Sequence, residues 1–189
     1  MPAVDSLSRP RRDRSRSAFL LSIVVGMSVA LTARPSFVAA ADEPREHVLI
    51  LRGTTGEPVR ISESEFKKLP HVEVEAIDHG GRKARYSGVP MRLLLDKVGV
   101  PNGEKLRGSW LGTYVTVDAL DDYRAVYALA ELDPGLSNRT IILADARDGK
   151  PLDKRHAPFQ VIAPGEKRPA RWVFMVHEIR VIDSRAKEK

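Results

Sequence analysis

Residues 165–172, GEKRPARW, gather Lys167, Arg168 and Arg171 around a Gly- and Pro-containing turn, with Trp172 beside them. A guanidinium presents a planar fork that matches phosphate or carboxylate bidentately, so this stretch is the leading candidate for holding an anion. The competing reading is a solvated basic loop whose Arg171 pairs with Glu166 or an Asp. A second stretch, DALDDYRAVYALAELDP (residues 118–134), runs Asp121, Asp122 and Tyr123 straight into an apolar segment with the rhythm of a strand. Its polar residues either gather at a strand end for a site or make a turn that satisfies its own backbone.

Other chemistries find less support. His71, His79, His156 and His177 are scattered, and none pairs with a carboxylate at the i,i+4 helical spacing of a zinc site. Asp121 and Asp122 are neighbours, which in a strand would face opposite sides, so a paired-carboxylate acid/base site is not expected. Ser87 lacks the G-x-S-x-G setting of a nucleophile elbow. GTTGEP lacks the Lys and the following helix of a phosphate-cradling loop. The 189 residues contain no Cys, hence no thiolate nucleophile, thiolate metal ligand, disulfide or C-x-x-C-H haem attachment.

Short strands alternating with brief helices must position these residues. Strands are expected over residues 47–51, 59–61, 71–77, 82–86, 114–119, 124–129, 140–144, 159–163 and 171–182. Ser62 and Glu65 form a capping box opening a short helix, which Pro70 ends. In residues 71–77, Val72, Val74 and Ala76 share one face. GVPMRLLLDKVGV (residues 88–100) reads as the clearest helix, with Pro90 near its first turn, Met91, Leu94, Leu95 and Val98 at helical spacing, and Gly99 as C-cap. This pattern predicts an α+β fold, a mixed β-sheet or roll of short strands with a few short helices.

The net charge of +6 is unevenly spread. Residues 1–40 hold six Arg against two Asp, while the rest carry 25 basic and 23 acidic residues. The latter is an ordinary mixed surface, so no nucleic-acid partner is expected. The arginines precede a 16-residue apolar run, residues 18–33, shorter than the roughly 20 residues that span a bilayer. Small residues then follow, Val38 with Ala40 or Ala39 with Ala41. Residues 1–41 therefore read as a signal peptide cleaved near Ala40/Ala41, with a periplasmic or secreted product and membrane contact only during export. An uncleaved N-terminal anchor is the alternative, and Arg11-Arg12 leaves the export route open between the general and twin-arginine systems.

Four pieces in one order, YSGVPMRLLLDKVGV, VDALDDYRAVYALAELDP, IILADARDGKPL and APFQVIAPGEKRPARWVFMVHEIRV, resemble the molybdopterin-binding oxidoreductase domain of the sulfite-oxidase-type fold, most of all its small stand-alone exported members. The resemblance covers about residues 47–183, within a domain placed at 45–185. It implies a molybdopterin cofactor, with Lys167, Arg168 and Arg171 holding its phosphate, and Asp122 and Tyr123 lining the cleft at a strand end. Val126 and Leu129 would then go to the core.

The chain also departs from that family. Its catalytic members hold molybdenum through a Cys between the strand like HVEVEAI and the YSGVP motif, where this chain has Glu75, Ala76, Ile77, Asp78 and His79. Asp78 or His79 as a metal ligand would mean different chemistry. The family's usual Gly-Pro reads Ala157-Pro158 here. Two expectations follow. One is an oxidoreductase-like domain that takes its electrons through a separate redox partner. The other is a non-catalytic periplasmic module binding a small anionic ligand, the pterin or a protein partner. A purely structural envelope protein is a third reading and predicts no ligand.

Overall fold

The computed structural model describes residues 46–184, so the expected signal peptide lies outside the described residues. Two sheets form. The first runs β2 (Val59–Ser62), β1 (Val48–Arg52), β10 (Val176–Ile182), β5 (Tyr114–Ala119) and β6 (Arg124–Ala128). Its pairs are antiparallel except β1 with β10, which is parallel. The second runs β3 (Val72–Ile77), β4 (Lys83–Pro90), β7 (Ile142–Arg147) and β8 (Lys150–Pro151), and β9 (Gln160–Ile162) also pairs with β7. Two short helices, α1 (Glu63–Phe66) and α2 (Met91–Asp96), complete an α+β fold.

One buried cluster draws on both sheets. Leu49, Leu51, Val115, Val117, Ile179 and Val181 come from the first, and Tyr86, Val89, Ile142, Leu143 and Val161 from the second. Each large aliphatic side chain so buried contributes about 1.5–3 kcal/mol relative to exposure. The sheets are also joined through the backbone. Residues 173–176, which lead into β10, bond to 156–161: Val161 N–H donates to Val173 O at 2.9 Å, Val176 N–H to Phe159 O at 2.9 Å, and Met175 N–H to His156 O at 3.2 Å.

The expected capping box is present: Ser62 Oγ accepts from Glu65 N–H, and the Glu65 carboxylate accepts from Ser62 N–H. The YSGVP motif has a steric cause. Opposite Gly88, β7 bulges at Asp145 against β4, and a Cβ built at Gly88 would lie 2.2 Å from Leu143 O.

Three expectations are corrected. The strand β4 continues through Gly88, Val89 and Pro90, and the helix is only Met91–Asp96; a residue preceding proline is pushed towards extended backbone, which keeps Val89 in the ladder. Residues 171–175 do not belong to the last strand. A 3₁₀ turn at Pro169–Arg171 and a positive φ of 48° at Met175 divert them to bond residues 156–161 instead. Finally, Val126 points outward at 48% exposure while Ala125 and Tyr127 are buried. Strand periodicity allows one phase, and Tyr127 takes the inner one. Leu129 is fully buried, as expected.

Candidate functional site

A cleft of about 370 Å³ opens where the β3–β4 hairpin, the end of β7, residues 155–160 and Phe174 converge. The hairpin turn is organised by Asp78, whose carboxylate is buried. Its Oδ1 accepts from Gly80 N–H at 2.8 Å and Arg82 N–H at 2.9 Å. Its Oδ2 accepts from Arg82 Nη2 at 3.2 Å and Arg147 Nη2 at 2.6 Å. The Arg82 amide and the Arg147 guanidinium hold this carboxyl well below the usual carboxylate range, against the opposing effect of burial. The Arg147 guanidinium also lies 5.5 Å over the Tyr86 ring. Burial pushes the Tyr86 hydroxyl above its ordinary pKa, with Arg147 acting the other way.

The opposite wall is set by Asp153. Its Oδ1 accepts from Arg155 N–H at 2.9 Å and lies 2.7 Å from His156 Nδ1, and the histidine contact lowers its pKa. The His156 ring meets Phe174 edge-on at 4.4 Å, and His79 meets the same ring at 5.2 Å. Arg155 forms no ion pair among the described residues. Gln160 contributes a carboxamide from β9 at 3% residue exposure. The following chemistry results. Three guanidiniums and two imidazoles line the cleft with a single carboxylate, and both oxygens of that carboxylate are already engaged. Such a cleft suits an anion. It offers no thiolate, and among the described residues no group of three or more His, Asp or Glu is placed to hold a metal ion.

The residues singled out in the sequence lie elsewhere. Arg171 is enclosed by carboxylates: Nη1 donates to Glu131 Oε1 at 2.9 Å, Nη2 to Glu131 Oε2 at 3.1 Å and Nε to Glu166 Oε1 at 3.0 Å. Its guanidinium stacks 4.4 Å from the Tyr127 ring centroid. Glu131, whose pKa burial raises, is nonetheless held below its ordinary value by Arg171. Lys167 and Arg168 are exposed, with no ion pair among the described residues. Asp122 sits in the β5–β6 turn with a φ of 66°. Asp121 Oδ1 accepts from Tyr123 N–H at 3.1 Å, and Tyr123 Oη donates to Ala170 O at 2.6 Å. Hence Asp122, Tyr123, Lys167, Arg168 and Arg171 do not line the cleft, whereas Asp78 and His79, noted where a thiolate was expected, do. Arg147, Arg155 and Gln160 were not singled out in the sequence, and His156 was weighed there only as a zinc ligand. The only signal for them was the gap left by the missing Cys, which marked the hairpin they surround.

Among solved structures, the chain is similar to the sulfane dehydrogenase SoxCD from Paracoccus pantotrophus, with a TM-score of 0.58 and 18% identity over 72% of this chain. It spans 38% of that chain, and at this identity the likeness carries the fold alone. No curated protein matches. The family described as oxidoreductase molybdopterin binding domain matches residues 36–189, which include every strand of both sheets and every residue of the cleft. The chain belongs to that family.

Proposed function

We propose that this protein is an exported binding module of the molybdopterin-binding oxidoreductase family, which uses the Asp78–Arg147 cleft to hold an anionic, phosphate-bearing small molecule. The observation that carries the reading is the lining of Arg82, Arg147, Arg155, His79 and His156 around one internally paired carboxylate. The family's cofactor fits this lining in part. Its phosphate suits the guanidiniums, with Arg155 the group least committed to the protein itself. Its metal finds no thiolate in the chain, and Asp78 has no oxygen free of hydrogen bonds. The donor set of the cleft therefore does not fit a molybdenum centre. The SoxCD structure, of which this chain matches a minor part, shares the fold and lends no dehydrogenase activity to this chain.

The test is the composition of mature protein purified from a host that makes molybdopterin, by elemental analysis and fluorescence of the oxidised, released pterin. Pterin present with molybdenum well below stoichiometric supports the reading. Near-stoichiometric molybdenum overturns its non-catalytic part. Neither pterin nor any phosphate affinity in calorimetry overturns the binding site itself. Fractionation of the natural host tests the periplasmic address, which rests on the sequence of residues 1–41.

A further inference from the structure

The outer strands of the two sheets are finished differently. On β6, Val126 O accepts from Arg171 Nη1 at 2.9 Å and Ala128 N–H donates to the Glu131 carboxylate at 2.8 Å, which blocks that edge. β2 has four residues, and Ser62 N–H at its end is taken by Glu65. β8 has two residues and ends in Pro151. The edge at β3 has no such cover. Asp78 N–H donates to Arg82 O at 2.9 Å, and from there the β3–β4 register runs without a shift back to Val72 opposite Gly88. The bonding side of an antiparallel strand alternates residue by residue, so the N–H and C=O groups of Glu73, Glu75 and Ile77 point away from β4. Among the described residues no hydrogen bond meets them.

An open edge is a template for another strand, and the side chains say which. Glu75 already holds Lys83 at 2.5 Å, and Glu73 has Arg85 at 3.8 Å, so the edge does not call for a basic strand. Its uncovered side chain is apolar: Ile77 is 64% exposed. Among two-fold antiparallel pairings of β3 with a copy of itself, the one centred on Glu75 engages all three outward residues. Glu73 then faces the partner's Ile77, and Ile77 faces the partner's Glu73. Like charges meet only at Glu75, where each carboxylate carries its own Lys83. A slip of two residues one way sets Glu73 against Glu75 twice, which is unfavourable. A slip the other way carries Glu73 past the end of the partner strand. On the inner face the centred pairing sets Val74 beside the partner's Ala76.

We infer that β3 pairs with β3 of a second copy of this chain across a two-fold axis at Glu75, so that one sheet runs β7–β4–β3–β3–β4–β7 through a dimer. About six main-chain hydrogen bonds join the copies, two at each of the three facing pairs. One strand from each side makes a small interface, and the dimer is therefore of the weak, concentration-dependent kind. The inference is independent of what the cleft binds.

The experiment is sedimentation velocity of the full mature chain from about 1 μM to about 1 mM, a range that covers weak association. The wild type is expected to pass from monomer to dimer within it. Ile77→Glu sets a carboxylate opposite Glu73 and is expected to weaken the dimer roughly tenfold, because two-fold symmetry counts the change twice. Ile77→Lys sets an ammonium there and is expected to hold or strengthen it. The chain has no Cys, so a single introduced one reports the register. In Glu75→Cys the two Cα atoms lie about 5.5 Å apart, within reach of a disulfide. In Glu73→Cys they lie four residues apart along the ladder, about 13 Å, and out of reach. Mild oxidation is therefore expected to link Glu75→Cys at least roughly tenfold faster than Glu73→Cys. A wild type that stays monomeric at every concentration overturns the inference. So does a dimer that Ile77→Glu leaves unchanged, or equal cross-linking at the two positions. The substituted side chains are all exposed in the monomer, and the wild-type measurement stands even if a variant does not fold.

Discussion

Arg147 Nη2 donates to Asp78 Oδ2 at 2.6 Å across the floor of the cleft, joining the β3–β4 hairpin to the end of β7, 69 residues away in sequence. Breaking this pair should therefore affect both stability and the shape of the cleft. Asp78→Asn keeps the volume but replaces an acceptor facing Arg147 with a donor. It is expected to destabilise the fold by about 2–4 kcal/mol at pH 7. The folded-state pKa of Asp78 is depressed, so its contribution is present above the unfolded value near pH 4 and is lost as pH falls towards the folded value. Urea unfolding at pH 7 and pH 3 should show the gap between wild type and variant narrowing at the lower pH. A constant gap would mean that the carboxylate's charge is not what stabilises the hairpin.

Gly88→Ala should be among the most damaging single changes in the chain. The added Cβ would meet Leu143 O at 2.2 Å and Ala144 Cα at 2.5 Å, both backbone atoms that no rotamer change can move aside. The β4–β7 ladder would have to part at its bulge, with an expected loss of about 3 kcal/mol or more. Thermal unfolding of the variant measures it, and a shift of only a degree or two would show that the bulge is free to relax.

The strands were legible because turn residues and alternation mark them locally, and the Ser62–Glu65 capping box because it is a three-residue relation. The phase of β6 was not. Ala125, Val126 and Tyr127 are all compatible with burial, and only the stacking of Arg171 on Tyr127, 44 residues away, shows which side is in. The site was legible in one place only, the hairpin at Asp78 and His79, where a missing Cys drew attention. Its other walls come from β7, residues 155–156 and β9, and no local pattern brings Arg147, Arg155 and Gln160 together. GEKRPARW stood out by its charge density, but its Arg171 is paired with Glu131 and Glu166, and Glu131 lies 40 residues away in sequence.

Arg155→Ala separates binding from folding. The side chain is exposed and makes no ion pair among the described residues, so its removal should change stability by less than about 0.5 kcal/mol. It should still weaken phosphate-probe binding by roughly fivefold and flatten the salt dependence of that binding, because one of three guanidiniums in the cleft is gone. Titrations of both proteins at low and moderate salt check this. Unchanged affinity would place the anion away from residue 155.

Arg171→Met should show the opposite pattern. The guanidinium bridges Glu131 and Glu166, donates to Val126 O at 2.9 Å and covers Tyr127. Its loss leaves two carboxylates facing each other, with Arg139, 3.2 Å from Glu131, as the remaining cation. Solvent reaches part of this network and screens it, so the expected cost is about 2 kcal/mol rather than the larger penalty of a fully buried pair. Binding in the cleft should stay within about twofold of wild type, since none of these groups lines it. Lys167→Ala and Arg168→Ala, which remove exposed charges of the same loop, should change neither quantity measurably. Denaturant melts and phosphate-probe titrations of the three variants together decide the role of this loop: a loss of affinity without a loss of stability would make GEKRPARW a ligand-binding element, and the reverse makes it the clamp that fixes the approach to Trp172 and the cleft.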